Sequence, residues 1–334
     1  MEIAGITARR GETVFGYVNV GYTMGRLPID IPINILQGHE DGPTLMVTAA
    51  VHGNEVIGSI SINKLVRELD PNDIRGTLVL VPVVNTSAFE FDRRDTEWDS
   101  TILNRVGKGK KEGTPTEMLA YRLYHDILPL GDFWIDIHSG DAGSYVYYTI
   151  YDCDVPDADQ AQTSREMALA FGLEQITAKT PWKDAKIDLG IPTIVPEIGG
   201  GSDFLQNGEQ QIETCCNGIT NVMKYLGMME GDLVLESPTA TIWDGHSEIV
   251  NGHHGGIMEI IKKRGETIEK GEVFGKIYHP YSGELLATID APASGTMLNS
   301  GVLWPIVYPN QWLSLLGDKM EDVNICEELN RDNA

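Results

Sequence analysis

The stretch Thr44–Ile60, TLMVTAAVHGNEVIGSI, decides how the rest of the chain is read. An apolar, partly β-branched run stops at His52-Gly-Asn-Glu55 and resumes as the start of a helix expected from about Glu55 to Leu69. A run of this kind has the grammar of a buried parallel strand that delivers residues at its carboxyl end. At that edge open α/β sheets place their sites. A turn closing into a helix brings positions three apart onto one side, so His52 and Glu55 face a common point. An imidazole and a carboxylate converging there form a borderline donor pair of the type Zn²⁺ favours.

Two ligands do not hold a metal, and two further strands supply the remainder. Phe133–Gly140, FWIDIHSG, is an apolar strand ending on His138 and a Ser-Gly turn; Pro192–Gly201, PTIVPEIGGG, ends on Glu197 and a glycine run. Three strand ends carrying His and Glu, His, and Glu make a site of two histidines and one carboxylate with an open position. They leave a separate carboxylate to act on water. Taken singly, each signal has a bland reading. An HxxE phrase arises often by accident, a strand-end histidine is usually a structural hydrogen-bonding residue, and Glu197 suits a turn cap. Their coincidence at the carboxyl ends of apolar strands, each followed by glycine, favours the site.

Around these strands the pattern alternates. Residues 1–43 show period-two alternation, as in Ile29-Asp30-Ile31-Pro32-Ile33-Asn34-Ile35, and predict short antiparallel edge strands. From Thr44 the order is strand, helix, strand (Leu78–Val84), irregular segment, helix (Thr116–Leu128) and strand (Phe133–His138). Then come a Tyr145–Tyr151 strand, a helix near Ser164–Gly172, the Glu197 strand and an amphipathic helix from about Gln210 to Leu226. This predicts an α/β fold, a mostly parallel mixed sheet with helices on both faces. From about Asp232 the texture becomes Gly-rich, with short apolar runs separated by turn residues, as expected of a small all-β unit. The expected division is a catalytic-type domain over 1–230 and a β-rich domain over 231–334.

The irregular segment Asn85–Gly113 carries Arg93, Arg94, Asn104, Arg105 and the cluster Lys108 to Lys111. Long irregular segments inside compact domains are usually functional. Arginine reads a carboxylate through two parallel charged hydrogen bonds, so Arg94 and Arg105 are candidates for an anion pocket, whereas the lysines suit a solvated loop tip.

Composition narrows the function classes. A net charge of −24, from 49 acidic against 25 basic residues, leaves no basic stripe for nucleic acid and repels anionic membranes. Such acidity suits either a salty cytoplasm or plain solubility. The four cysteines, Cys153, Cys215, Cys216 and Cys326, show no CxxC spacing, which is the usage of a reducing compartment. Of the adjacent pair Cys215 and Cys216, one at most is expected to face the core. No apolar run approaches the roughly 18 residues of a membrane helix, and the first residues lack a basic-then-apolar signal segment, so a cytoplasmic location is expected. His246, His253 and His254 match no ligand spacing and are expected at the surface.

These phrases together resemble the succinylglutamate desuccinylase and aspartoacylase family, a branch of the zinc carboxypeptidase superfamily, over about residues 30–318. The resemblance implies a zinc carboxypeptidase-like fold with one Zn²⁺ per chain on His52 and Glu55 of the HGNE phrase and His138 of the DIHSG phrase. It implies Glu197 of the PEIGG phrase as the catalytic carboxylate. It also implies a substrate frame running from Asn85 through Ala88-Phe89-Glu90 and Arg94 to Leu103-Asn104-Arg105, with Arg94 stabilising charge on the reacting carbonyl and Asn104 and Arg105 holding a substrate carboxylate. Asp136 is a candidate support for His138. The chain departs from the family in having Thr86 where proline follows the Asn, and in the run after Asp99, which bears on the pocket's shape.

The KGEVFGKI and APASGTM phrases resemble a lipoyl or biotinyl half-barrel, without the Met-Lys-Met phrase of a carrier domain. The implied activity is that of a zinc-dependent amidohydrolase removing a small acyl group from an N-acyl amino acid, with the N-acetyl-diaminobutyrate deacetylase branch as one substrate candidate. Alternatives are a metallocarboxypeptidase acting on small peptides and a non-catalytic binding module. The oligomeric state is left open, a homo-oligomer included.

Overall fold

The computed structural model describes residues 1–140, 144–151, 153–178, 189–200, 204–301, 306–309 and 311–330. The alternation in the sequence becomes one extended sheet. Across it lie Glu12–Tyr22, Pro28–Gln37, Arg75–Val81, Glu40–Ala49, Phe133–Gly140, Thr193–Gly200, Ser144–Tyr151, Gln175–Thr177, Thr239–Val250, Trp312–Asn324, Gly295–Met297 and Thr267–Ile268. The centre is parallel: Glu40–Ala49 pairs in parallel with Arg75–Val81 and Phe133–Gly140, and the latter with Thr193–Gly200. These central strands are near-continuous apolar runs because both of their faces are covered.

On one face the helices Ile57–Glu68, Ala158–Phe171 and Phe204–Tyr225 pack against Leu45, Val47, Ile135, Ile137 and Ile194. On the other, Met46, Val79 and Trp134 meet Leu119 and Leu123 of the segment that begins with the helix Pro115–Arg122. The strand period of two sorts the residues of Phe133–Gly140. Ile135 and Ile137 belong to the first core, Trp134 to the second, and Asp136 and His138 share the side of Trp134.

Several elements differ in extent from the sequence reading. The N-terminal strands Glu12–Tyr22 and Pro28–Gln37 are antiparallel but long, not short. The first helix begins at Ile57, so Glu55 lies in the turn that precedes it. The helix expected over Thr116–Leu128 is α-helical over Pro115–Arg122, with a capping box on Thr114 and Glu117, and continues as a π turn over Leu123–Ile127. Cys215 and Cys216 are both buried, at 0% and 7% exposure, which corrects the expectation of one. The helix Phe204–Tyr225 is packed by Ile57–Glu68 and by Ala158–Phe171, so two adjacent positions find cover.

The C-terminal region is β-structured as its texture predicts. Gly256–Ile260, Val273–Tyr278, Leu285–Asp290 and Ile306–Val307 form a separate antiparallel sheet, whose Met258, Phe274 and Ile277 share a core with Ile249, Leu313 and Leu316 of the main sheet. The long strands Thr239–Val250 and Trp312–Asn324 pair with each other and extend the main sheet, Thr239–Val250 lying parallel to Gln175–Thr177. No helix among the described residues is long and apolar enough to cross a membrane.

Candidate metal centre and substrate site

The strand Glu40–Ala49 is followed by Ala50, which adopts φ of +50°, a conformation that non-glycine residues hold only when their surroundings enforce it. Here Ala49 and Ala50 accept backbone hydrogen bonds from Val84 and Asn85 at 2.9 and 3.0 Å. The chain then turns through His52-Gly53-Asn54-Glu55, closed by the Glu55 N–H on the His52 carbonyl. Glycine is required at 53: a Cβ there would stand 1.9 Å from the backbone carbon of Ala88.

His52, Glu55 and His138 meet at the carboxyl edge of the sheet, their candidate ligand atoms within 4.8 Å of one another and all three residues buried. Both imidazoles aim Nδ1 at the Glu55 carboxylate, His52 at 2.8 Å from Oε1 and His138 at 2.9 Å from Oε2. Behind His138 a buried chain of hydrogen bonds runs into the sheet. Trp134 Nε1 donates to Thr48 Oγ1 at 2.8 Å, Thr48 donates to Asp136 Oδ1 at 2.6 Å, and Asp136 Oδ2 lies 3.3 Å from His138 Nε2. A carboxylate behind an imidazole fixes its orientation and raises its basicity as a ligand.

The members of the cluster set one another's charge. Burial works against charge on Glu55, yet the two imidazoles outweigh it and hold its carboxyl well below the usual range. Burial also opposes an imidazolium at His138, but Asp136 and Glu55 overcome it and push its pKa well up. At His52 burial prevails over Glu55 and the pKa falls. His52 Nε2 is buried with no hydrogen-bond partner among the described residues. Two imidazoles and a carboxylate are the donor set of a catalytic zinc site with a position left for substrate. These residues suit that ion, and among the described residues no other group of this kind is present.

Glu197 sits in the adjacent strand with its Cα opposite that of His138, so the two side chains stand next to each other on one face. It is 9% exposed, and burial, helped by the Glu55 and Asp136 carboxylates and opposed by His138 and Arg94, pushes its pKa to about 8. Gly199 and Gly200 follow it in left-handed backbone, where a Cβ on Gly200 would meet the Gly140 backbone at 2.1 Å. Gly201 lies outside the described residues.

The segment after Arg75–Val81 divides its charges. Asn85, fully buried, caps the short helix Thr86–Glu90 by accepting from the Ala88 N–H at 3.2 Å, and its amide donates to Thr96 Oγ1 at 3.0 Å. Thr86, the departure from the family's proline, donates its hydroxyl to the Asp30 carbonyl at 3.2 Å and ties this helix to the N-terminal strands. Arg93 is held by Asp95 and Glu97, whereas Arg94 reaches Glu55 Oε1 at 2.8 Å. Both polar atoms of the Asn104 side chain are buried and lack a hydrogen-bond partner among the described residues. Buried amides in native proteins are otherwise nearly always paired. Arg105 ends the turn Leu103–Arg105 and is exposed, and Lys110 pairs with Glu117 on the surface.

His253 and His254 are exposed as expected. His246 is half-buried, with Nδ1 3.0 Å from Ser247 Oγ and Nε2 3.6 Å from Asp318. Sequence reasoning missed Thr48 and Trp134. Their one signal is the strand period, which puts Trp134 on the side of Asp136 and His138.

A mixed α/β sheet presenting a buried His-Glu-His group at its carboxyl edge, with a glutamate in register beside it, defines a metallohydrolase-like class. Residues 41–226 match the model of the succinylglutamate desuccinylase/aspartoacylase catalytic domain. The chain belongs to that family. It is 27% identical over 262 residues, 74% of each protein, to the N-alpha-acetyl-L-2,4-diaminobutyric acid deacetylase of Halomonas elongata. Its fold is similar to that of a succinylglutamate desuccinylase/aspartoacylase from Rhodobacter sphaeroides, with a TM-score of 0.81 and 24% identity over 93% of this chain and 97% of that one. The product-bound ectoine utilization protein EutE (DoeB) of Ruegeria pomeroyi aligns with a TM-score of 0.81 and 20% identity, covering 93% of this chain and 96% of that one.

Proposed function

We propose that the protein is a zinc-dependent amidohydrolase that removes a small acyl group from an N-acyl amino acid. The observation that carries this reading is the convergence of His52, Glu55 and His138 beside Glu197, which stands in register with His138. His52, Glu55 and His138 would hold one Zn²⁺ per chain. When bound, the ion supplies a Lewis acid that polarises a carbonyl and lowers the pKa of water toward neutrality.

The chain's own groups do the rest. Glu197, buried and in register with His138, takes a proton from the attacking water and returns it to the leaving amine. Arg94, whose guanidinium already reaches the Glu55 carboxylate at 2.8 Å, stabilises the negative charge that develops on the carbonyl oxygen. Asn104, whose buried amide has no hydrogen-bond partner among the described residues, and the exposed guanidinium of Arg105 hold the substrate carboxylate. Asp136 orients His138. The similarity to the Halomonas deacetylase supports an N-acetylated diamino acid as the first substrate to try. The working location is the cytoplasm.

The test is hydrolysis by zinc-loaded protein of a panel of N-acetyl, N-succinyl and N-formyl amino acids, N-acetyl-diaminobutyrate among them, beside dipeptides and a chelated control. Chelator-sensitive release from one acyl amino acid is the expected result. Cleavage confined to dipeptides would instead make the protein a carboxypeptidase.

A further inference from the structure

Resting on the deacylase reading above, we propose that Tyr148 forms the end wall of the acyl pocket and sets the length of acyl group the enzyme removes. The strand Ser144–Tyr151 runs antiparallel to the Glu197 strand, with Tyr148 directly opposite Glu197. Directly opposed residues in an antiparallel pair project from the same face with their Cβ atoms about 5 Å apart. His138, Glu197 and Tyr148 therefore form one row across three strands.

The order of strands gives that row a direction. The segment bearing Arg94, Asn104 and Arg105 leaves the end of Arg75–Val81. Next along the edge come the strand leading to His52 and Glu55, the His138 strand, the Glu197 strand and the Tyr148 strand. A substrate whose carboxylate is held by Asn104 and Arg105, and whose amide carbonyl lies over His138 and Glu197, extends its acyl end toward Tyr148. Strands are about 4.8 Å apart, so one strand spacing beyond the carbonyl accommodates only a short acyl chain.

The ring is placed to act as a wall. Tyr148 is 5% exposed and packs in a small apolar cluster with Val146, Ile150 and Val195. Its hydroxyl makes no hydrogen bond to any described residue. Burial, with the Glu197, Glu248 and Glu55 carboxylates adding to it and Arg264 opposing, keeps the phenol neutral. A rigid, uncharged aromatic face selects by size, and hydrophobic pockets discriminate by roughly tenfold or more per methylene.

The experiment measures kcat/KM of the zinc-loaded protein for N-acetyl, N-propionyl and N-butyryl derivatives of the amino acid that the panel identifies. The wild-type chain, Tyr148→Leu and Tyr148→Phe are compared. Ratios between acyl groups within one variant do not depend on how much of it is folded. Tyr148→Leu is expected to raise the butyryl-to-acetyl ratio by roughly tenfold or more, and Tyr148→Phe to keep the wild-type ratio. Calorimetric titration of the same acyl series into Glu197→Gln, with and without Tyr148→Leu, is expected to show the same change in the order of Kd without turnover. Hydrolysis by the wild-type chain with an unchanged acyl ratio in Tyr148→Leu would overturn the assignment and leave the deacylase reading standing. A wild-type chain that cleaves no N-acyl amino acid would overturn both.

Discussion

Glu197 and Asp136 are both carboxylates on one face of the sheet, yet their surroundings differ. The Glu197 carboxylate makes no hydrogen bond to any described residue and its pKa is raised by burial, and the proposed mechanism gives it the proton to take and return. Replacing it with Gln keeps the shape and removes the base, and turnover should fall by roughly 10²- to 10⁴-fold while bound zinc, measured by metal analysis, stays stoichiometric. Asp136 is tied to Thr48 and to His138 and never faces the reacting atoms in the proposed mechanism. Asp136→Asn should therefore weaken zinc binding by roughly 10- to 100-fold in a competitive chelator titration, with kcat at saturating zinc less affected. Equal loss of both quantities would place Asp136 in the chemistry itself.

At the scale of elements, the segment between Arg75–Val81 and Pro115–Arg122 has little regular structure, and its shape rests on a few side chains. Asp99 accepts from the Thr116 N–H at 2.9 Å and the Thr116 hydroxyl at 2.6 Å, and from the Thr101 N–H at 3.2 Å, fastening the stretch before Asn104 to the start of the following helix. Partial burial opposes its ionisation, but the Thr116, Thr114 and Thr101 hydrogen bonds outweigh it and lower its pKa. A lowered folded-state pKa stabilises the fold above the unfolded value, near 4, and that contribution disappears as pH falls through the folded value. Because the group is largely solvated, its worth is only about 1 kcal/mol. Asp99→Asn should lower Tm by a few degrees at neutral pH, and the difference from wild type should close in melts carried below about pH 3. Its KM should rise more than its kcat falls, since the loop it holds carries Asn104 and Arg105 rather than the metal residues.

At the scale of the whole molecule, the C-terminal region is joined to the first by backbone pairing rather than by side chains alone. Thr239–Val250 lies against Gln175–Thr177 and completes that strand's second edge. Arg165 of the helix Ala158–Phe171 bridges to Glu321 at 3.0 Å and to Glu328 at 2.9 Å. A fragment ending at Glu230 should for this reason expose a sheet edge and a length of apolar surface, and be less soluble and less thermostable than the full chain. Circular dichroism melts and gel filtration of the two chains side by side would decide it. A fragment that melts cooperatively at the full-chain temperature would show that the joined strands add nothing.

Much of the candidate site was legible in the sequence because His52, His138 and Glu197 stand at the ends of apolar strands with glycine one or two residues on, and Glu55 lies in the turn that follows the first of them. That pattern comes from buried strands and tight turns, which are local in the chain. His52, Glu55, His138 and Glu197 could thus be picked out, and their strand ends do meet at one edge. The fold class followed from the same local periodicity. What local pattern could not reach is which strand lies beside which, in what register and facing where, since these are settled by contacts between residues far apart in the chain. The hydrogen-bonded line from Trp134 through Thr48 to Asp136 spans 86 to 88 residues of separation. The split between Arg93 and Arg94 depends on which carboxylates surround each. Cys215 and Cys216 are both buried because helices flank their own helix on two sides. The opposition of Tyr148 to Glu197 exists only because Ser144–Tyr151 turns back antiparallel against Thr193–Gly200. The candidate residues were placed at strand ends and turns by the sequence itself, while the tertiary structure alone decided which neighbours orient them and which side chain stands beside Glu197, because pairing and packing bring together what the chain order keeps apart.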